Sequence, residues 1–266
     1  MRNLFFHLAR RHGLFLSLIA LLLGGFEYLL CAILGTVDLS SGLQELMKSM
    51  PPFLQSVISN QFAANLTTAG FLAFGWNHPI VHALATTAAI ALAAAAIAGE
   101  IENGMIEFLL SQPISRRQYL AGQILFALFS LAAISACGIL GTAIGQKRFA
   151  LPAFAVAALP QIGVSFFLLQ STWYAVTLSL SAFVRERSHV SGTAFLLALV
   201  AYVLYVLGSV WPSAAFLLPF SLFHYYTPQA ILLEQVWRLP PVLVLLGLTV
   251  AGLTLALWRF QRRDIP

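Results

Sequence analysis

Three of the nine acidic residues in this 266-residue chain stand close together, at Glu100, Glu102 and Glu107. Neighbouring carboxylates can serve as a general acid and base, or they can pair with basic groups on a binding partner. Their spacing here fits the solvated face of a surface helix better, because apolar residues fall on its other side. The sequence therefore favours a contact surface over a catalytic pair, and it contains no GxSxG element.

Two histidines could bind a metal ion. His78 and His82 are four residues apart and would share one face of a helix. No glutamate completes an HExxH pattern, and Pro79 places His78 at a helix boundary. We therefore predict interfacial histidines and no metal site; an intramembrane metalloenzyme that adds His224 as a third ligand is an alternative.

A third group of polar side chains interrupts apolar sequence. Glu27 lies within a long apolar run, where a carboxylate is costly and is by default a functional hypothesis. It could face a substrate path, pair across a dimer interface, carry a proton or reach the lipid headgroups. Gln161, Gln170 and Thr172 could line a path or bond to neighbouring helices, which is the commoner use of such residues.

Composition indicates which elements must position these residues. Of the chain, 60% is hydrophobic and 9% is charged, against roughly 25% charged residues in a soluble domain. Runs of about 20 apolar residues cross a bilayer as helices, and the alternation of a membrane β-barrel is absent. We predict an all-α membrane protein with one transmembrane domain, residues 1–266. Its six spans are residues 13–37, 79–99, 119–145, 161–184, 190–211 and 240–258.

The basic residues predict the orientation, because Lys and Arg concentrate on the cytoplasmic side of membrane proteins. With both termini in the cytoplasm, ten of the 14 basic residues lie inside, and only Lys48, Lys147, Arg148 and Arg238 lie outside. We therefore predict cytoplasmic termini. The net charge of +5 reports this topology, and no nucleic-acid partner is expected.

Three further segments lie outside the predicted spans. Residues 1–12 have an apolar and a basic face, which suits either a helix on the inner membrane surface or a basic anchor for the first span. Residues 38–78 form a long outer loop, in which Trp76 falls at the outer interface, a position where tryptophan is enriched. Residues 212–240 are apolar but repeatedly broken, as in a re-entrant segment.

The loop between the second and third spans, residues 100–118, has a defined pattern. Glu100 to Ser111 reads as an amphipathic helix, Pro113 breaks it, and Ser115 and Gln118 have the spacing of a capping box that opens the third span. A surface helix joined in this way to two spans would act as a lever, whereas an ordinary solvated connector would only carry charge. Residue types and spacing leave both interpretations open.

One run of residues carries a resemblance to a known family. It consists of Gly99-Glu100, Gly104, Glu107, Leu109-Leu110, Pro113 and Ser115-Arg116-Arg117. This run resembles the first cytoplasmic loop of type-2 ABC exporter permeases, which often has a glutamate, a glycine, a leucine-rich turn and a proline before Ser-Arg. Six spans, an N-terminal surface helix and a broken segment before the last span are also similar to that family.

The resemblance implies roles for individual residues. The helix that begins at Glu100 would be a coupling helix seated on a cytoplasmic P-loop ATPase, and residues 1–12 would be an elbow helix. The residues that would couple the chain to the ATPase are Glu100, Glu102, Asn103, Gly104, Glu107, Pro113, Ser115, Arg116 and Arg117. Two permease chains, identical or similar, and two ATPase chains would form the working unit.

The chain has no P-loop of its own. The nearest approach to GxxxxGK[ST] runs from Gly138 to Lys147 within a span, where Gly141 and Gly145 fit close helix packing instead. ATP and magnesium would therefore bind to the partner subunit, and neither a cofactor nor an enzyme activity is expected in this chain.

These observations together predict the permease subunit of an ATP-driven exporter, a multi-pass protein of a prokaryotic cell membrane surrounded by lipid. The resemblance implies that it would move substrate outward by alternating access. An ATP-independent transporter or channel is the first alternative, and the metalloenzyme is the second.

Overall fold

The structure is a computed structural model, and it describes residues 2–36, 67–104, 115–152 and 157–263. These residues are mostly helical, with short turns between the helices, and there is no strand among them. Six of their helices are long and apolar enough to cross a membrane. The predicted all-α class with six spans is therefore confirmed.

Within the described ranges, the helices follow one another in chain order as eight α-helices, with short helical turns between some of them. The α-helices are α1 (Arg2–Thr36), α2 (Thr68–Trp76), α3 (Pro79–Ala94), α4 (Arg116–Arg148), α5 (Ala158–Phe183), α6 (Arg187–Val210), α7 (Pro228–Leu232) and α8 (Leu239–Arg262). A π-helical turn, Ala95–Gly99, and an α-helical turn, Glu100–Glu102, continue α3. Two 3₁₀ helices, Pro212–Phe220 and Leu222–Tyr225, lie between α6 and α7.

Helix α2 occupies the end of the predicted outer loop. Thr67 caps it by accepting a hydrogen bond from Gly70 N at 3.0 Å. The chain breaks at His78, and Pro79 opens α3 at the position where a missing N–H does no harm. Trp76 is 0% exposed at the end of α2, so its predicted place at the lipid interface is wrong: the helix turns the indole into the bundle.

Helices α1 and α4 run side by side in the same direction and form the most extensive helix contact among the described residues. A Cβ atom added to Gly24 would lie 2.7 Å from the carbonyl oxygen of Cys137, and one on Gly145 would lie 2.5 Å from Cys31 Cβ. A Cβ atom on Gly141 would collide with the backbone of Gly24. The predicted use of Gly141 and Gly145 for close helix packing is therefore confirmed.

Helix α5 is the central helix, since it packs against α3, α4, α6 and α8. Thr172 on α5 is fully buried and lies 3.2 Å from the carbonyl oxygen of Leu245 and 3.0 Å from Thr249 Oγ1, both on α8. This contact is an interhelical bond, the commoner of the two uses expected for such a residue. Helices α6 and α8 expose most of their apolar side chains.

One end of the bundle holds the start of α1, the end of α3, the start of α4, the link from α5 to α6 and the end of α8. We call this end the terminal face and the other end the opposite face. Residues 2–12, predicted as a separate element, instead continue into α1 without a break. At about 1.5 Å per residue, the 35 residues of α1 extend roughly 52 Å, well beyond a hydrocarbon core of about 30 Å.

Candidate functional site

The candidate site is the terminal face around the loop that the sequence singled out. Glu100 directly follows the π-helical turn Ala95–Gly99 and is 4% exposed. Its Oε1 forms an ion pair with Arg11 Nη1 of α1. A buried carboxylate needs such a partner, because an unpaired charge in a low-dielectric interior is strongly disfavoured. The pair therefore fastens the end of α3 to α1.

Glu102 binds a third helix. Its Oε2 accepts a hydrogen bond from Arg187 N at 2.7 Å, at the first residue of α6. The first N–H groups of a helix have no partner within the helix, and a negative charge there is stabilised by the helix dipole. Glu102 thus supplies from another helix the cap that the start of α6 needs.

Gly104 ends the described part of this loop. Asn103 follows the last helical turn, and Gly104 has φ of +66°, a left-handed conformation that glycine adopts without strain. The predicted amphipathic helix from Glu100 is therefore wrong at its start, because Glu100–Glu102 complete α3 and the chain turns after them. Glu107 and Pro113 lie outside the described residues.

The predicted capping box at the start of α4 is confirmed. Gln118 N donates to Ser115 Oγ at 3.2 Å, and Ser115 N donates to Gln118 Oε1 at 3.1 Å. Arg117 is exposed, whereas Arg116 Nη1 donates to the carbonyl oxygen of Arg263 at 2.6 Å. The start of α4 is therefore bonded to the end of α8.

Arg263 is a residue of this site that the sequence did not identify. Its guanidinium donates to the carbonyl oxygens of Ser181, Ala182 and Val184 at 3.0–3.2 Å, at the end of α5. Burial, with Arg185 and Arg259 nearby, lowers its pKa, yet an arginine remains protonated in proteins. A cation at the C-terminus of a helix is stabilised by the unpaired carbonyls there.

The π-helical turn before Glu100 is bonded from two sides. Tyr119 Oη of α4 donates to the carbonyl oxygen of Ala96 at 3.1 Å, and Ala98 N donates to Ser181 Oγ of α5 at 2.9 Å. A π-helical turn frees backbone groups from the regular α pattern. Side chains of two other helices occupy them here, which fixes the direction in which α3 leaves the bundle.

The predicted path residues do not form one cluster. Glu27 is 0% exposed between α1, α2 and α4, and Thr142 Oγ1 lies 3.2 Å from its Oε2. Gln170 is buried on α5, where its Oε1 accepts from Thr86 Oγ1 at 3.0 Å. Gln161 is partly exposed at the start of α5. The side-chain hydrogen bonds of Glu27 and Gln170 are with neighbouring helices.

The two histidines have hydrogen-bonding roles. His78 Nδ1 accepts from Ile80 N at 3.2 Å, and His82 Nε2 lies 3.1 Å from Asn77 Oδ1. Within the described ranges no three His, Cys, Asp or Glu side chains are grouped as metal ligands. His82 also lines an apolar cavity of about 170 Å³ between α3, α6 and Phe223.

Comparison with known proteins supports the architecture. No curated protein matches the sequence of this chain. A family model described as ABC-2 family transporter protein matches residues 6–265. Members of this family are the membrane subunits of transporters, and six apolar helices agree with a multi-pass membrane protein. The chain therefore belongs to the ABC-2 transporter family and is a type-2 ABC permease.

Proposed function

We propose that this permease is the membrane-spanning subunit of an ATP-driven exporter, and that residues 100–118 dock on a separate cytoplasmic ATPase. Closure of two ATPase subunits on ATP would push on this segment in each of two permease chains. The spans would then change their tilt and release substrate outward, which is a rigid-body transition between two packed states. Family membership supports an ATPase partner in general.

The observation that carries this proposal is the anchoring of the chain on both sides of residues 105–114. On one side, Glu100 binds α1 and Glu102 binds α6. On the other side, Ser115 caps α4 and Arg116 bonds to the residue that follows α8. A force applied to the loop would therefore reach four spans in addition to α3. An ordinary connector needs none of these bonds.

The distribution of basic side chains supports a cytoplasmic position for the terminal face. The segments that meet there carry the ten basic residues that were assigned to the inside from the sequence. The opposite face carries Lys147, Arg148 and Arg238 among the described residues. This asymmetry is the one that membrane insertion favours.

The start of α1 supports an elbow role for residues 2–12. Phe5 packs edge-on against Phe126 and Phe129 at ring distances of 5.2 and 5.7 Å. These two rings lie about three turns into α4, although α1 and α4 otherwise run in parallel. The first turns of α1 therefore pack against the interior of α4, and this contact agrees with a helix near the membrane surface.

A crosslinking experiment tests the docking site. Asn103 is exposed next to the loop, so a cysteine placed there by Asn103→Cys should link to the ATPase through a bifunctional thiol reagent in host membranes. The partner is recognised in the product by its GxxxxGK[ST] sequence. Ser213→Cys, exposed on the opposite face, is the matched control. The unchanged chain, whose two cysteines lie in spans, gives the background.

A link from position 103 and none from position 213 supports docking at the terminal face. Equal links from both positions, or a chain that transports against an ion gradient with no ATPase attached, would contradict it. The second outcome would favour the ATP-independent transporter.

A further inference from the structure

We propose that Glu27 is a proton-binding site in the half of the bundle that ends at the opposite face, which we call the opposite half. There the neutral acid donates its hydrogen to Thr142 and joins α1 to α4. The ligand is a proton exchanged with water. The site is separate from the terminal face, and nothing in the proposed coupling to an ATPase uses it.

The first support is burial without an opposite charge. Glu27 is 0% exposed, and none of the ion pairs among the described residues includes it. The nearest cations along α4, Lys147 and Arg148, are exposed more than a turn beyond Thr142, and Arg148 stacks on Phe149. An unpaired carboxylate in such a place would be strongly disfavoured relative to the neutral acid.

Among the described residues, the other titratable groups near Glu27 form no ion pair with it. Cys31 on its own helix and Tyr226 before α7 are the ones that interact with it electrostatically. On the neighbouring helices, Cys137 of α4 lies beside Gly24, His78 accepts a hydrogen bond at Nδ1, and His82 is bonded to Asn77. None of them supplies the counter-ion that a carboxylate would need.

The second support is the hydrogen-bond geometry at Thr142. Its Oγ1 accepts from Trp76 Nε1 at 3.3 Å and lies 3.2 Å from Glu27 Oε2 and 3.3 Å from the carbonyl oxygen of Gly138. A hydroxyl has one hydrogen and two acceptor sites. If Glu27 were ionised, this hydrogen could serve only one of the two oxygens. If Glu27 carries a proton, it donates to Thr142, Thr142 donates to Gly138, and all three contacts are hydrogen bonds.

The third support is the packing of the described residues around Glu27, with neither of two cavities between the helices reaching it. The cavity beside His82 and a second one of about 290 Å³ between α4 and α5 are not lined by Glu27. A Cβ atom on Gly75 would lie 3.7 Å from Glu27 Oε2, so a side chain at this position of α2 would be in van der Waals contact with the carboxyl group. A proton needs no cavity. Loss of this proton would leave a buried negative charge on Glu27. We therefore expect Glu27 to ionise only when α1, α2 and α4 separate and admit water.

Infrared spectroscopy on the full chain in lipid nanodiscs at neutral pH tests this site by comparing the spectrum of the unchanged protein with those of its variants. The unchanged protein should show the carbonyl stretch of a protonated carboxylic acid, shifted in heavy water. Glu27→Gln should remove the band, and Glu234→Gln, at an exposed glutamate, should keep it. Thr142→Val should move the band to a higher frequency, because the acid loses its acceptor.

Two results would overturn the assignment: a neutral-pH spectrum with carboxylate bands only, or an acid band that persists in Glu27→Gln. If Glu27→Gln fails to fold, Thr142→Val still decides, since an unmoved band excludes the proposed acceptor. No ATPase is present in these samples, so failure here and failure of docking are distinguishable.

Discussion

Two buried carboxylates, Glu27 and Glu100, lie near opposite ends of the same bundle and are stabilised in opposite ways. Glu100 is 4% exposed and pairs with the guanidinium of Arg11. Glu27 is 0% exposed and has the hydroxyl of Thr142 as its hydrogen-bond partner. The first is suited to remain charged, and the second is suited to remain neutral.

The surroundings of the two residues extend this contrast. At the terminal face, charged groups bind each other or backbone groups, as Arg263 and Glu102 do. In the opposite half, α1 and α4 are held by glycines in close contact and by neutral hydrogen bonds. The terminal face should therefore tolerate changes of volume better than changes of charge, and the opposite half should behave in the reverse way.

The largest effect is expected from Glu100→Gln, which leaves Arg11 without its anion. Removing one partner of a buried pair costs about 3–5 kcal/mol, and the partial exposure of Arg11 reduces this to roughly 2–3 kcal/mol. Thermal unfolding in detergent would measure the loss. The double variant Arg11→Met, Glu100→Leu should recover much of it, because both charges are removed; no recovery would mean that the pair is not the cause.

Next in size is Gly141→Ala, which adds a Cβ atom against the backbone of Gly24. Overpacking of this kind costs about 1–3 kcal/mol. Gly25→Ala is the matched control on α1, since its Cβ atom would meet nothing within 4 Å, and helix propensity should make it neutral or stabilising by up to about 1 kcal/mol. Equal losses at the two positions would show that close packing is not what holds α1 to α4.

Arg263→Ala is expected to lower stability somewhat less than Gly141→Ala does, because the carbonyls at the end of α5 lose a charged hydrogen-bond donor. Hydrogen bonds to charged groups contribute about 1.5–3 kcal/mol, and water at this end of the bundle replaces part of that. Hydrogen exchange of the amides in the last turn of α5 should become faster. Arg262→Ala removes an adjacent charge that stacks on Trp258 and should leave these amides unchanged.

The smallest effect is expected from Glu27→Gln. An amide has nearly the shape of the neutral acid and can donate to Thr142, so the change in stability should stay within about 0.5 kcal/mol. The loss of stability from Glu100→Gln is expected to be several times larger. The ratio of the two losses therefore tests whether Glu100 is charged and Glu27 is neutral. Similar losses at both sites would mean that Glu27 is also ionised.

Features set by neighbouring residues could be predicted from the sequence. Apolar runs indicate spans, and the capping box needs only Ser115 and Gln118, three residues apart. Small residues one turn apart on a helix indicated close packing at Gly141 and Gly145. In each case the signal lies within one helix or at its end.

Features that depend on distant residues could not be predicted. Arg263 binds carbonyls about 80 residues away, and a backbone acceptor leaves no mark on side-chain composition. The sequence predicts Trp76 at the interface because tryptophan is common there, whereas its burial depends on the contact of α2 with Thr142 of α4. The π-helical turn has the apolar sequence of an ordinary span, so its presence was not visible either.

That π-helical turn, Ala95–Gly99, has a consequence for the angular placement of the glutamates that follow it. An i→i+5 turn contains one residue more than an α-helical path would, and one residue corresponds to about 100° of rotation. Deleting a single residue here would keep the span helical but swing Glu100 and Glu102 away from Arg11 and the start of α6. The number of residues in this turn therefore sets the direction in which Glu100 and Glu102 point. An insertion or deletion of one residue would break the bonds of α3 to its neighbours without removing any interacting side chain.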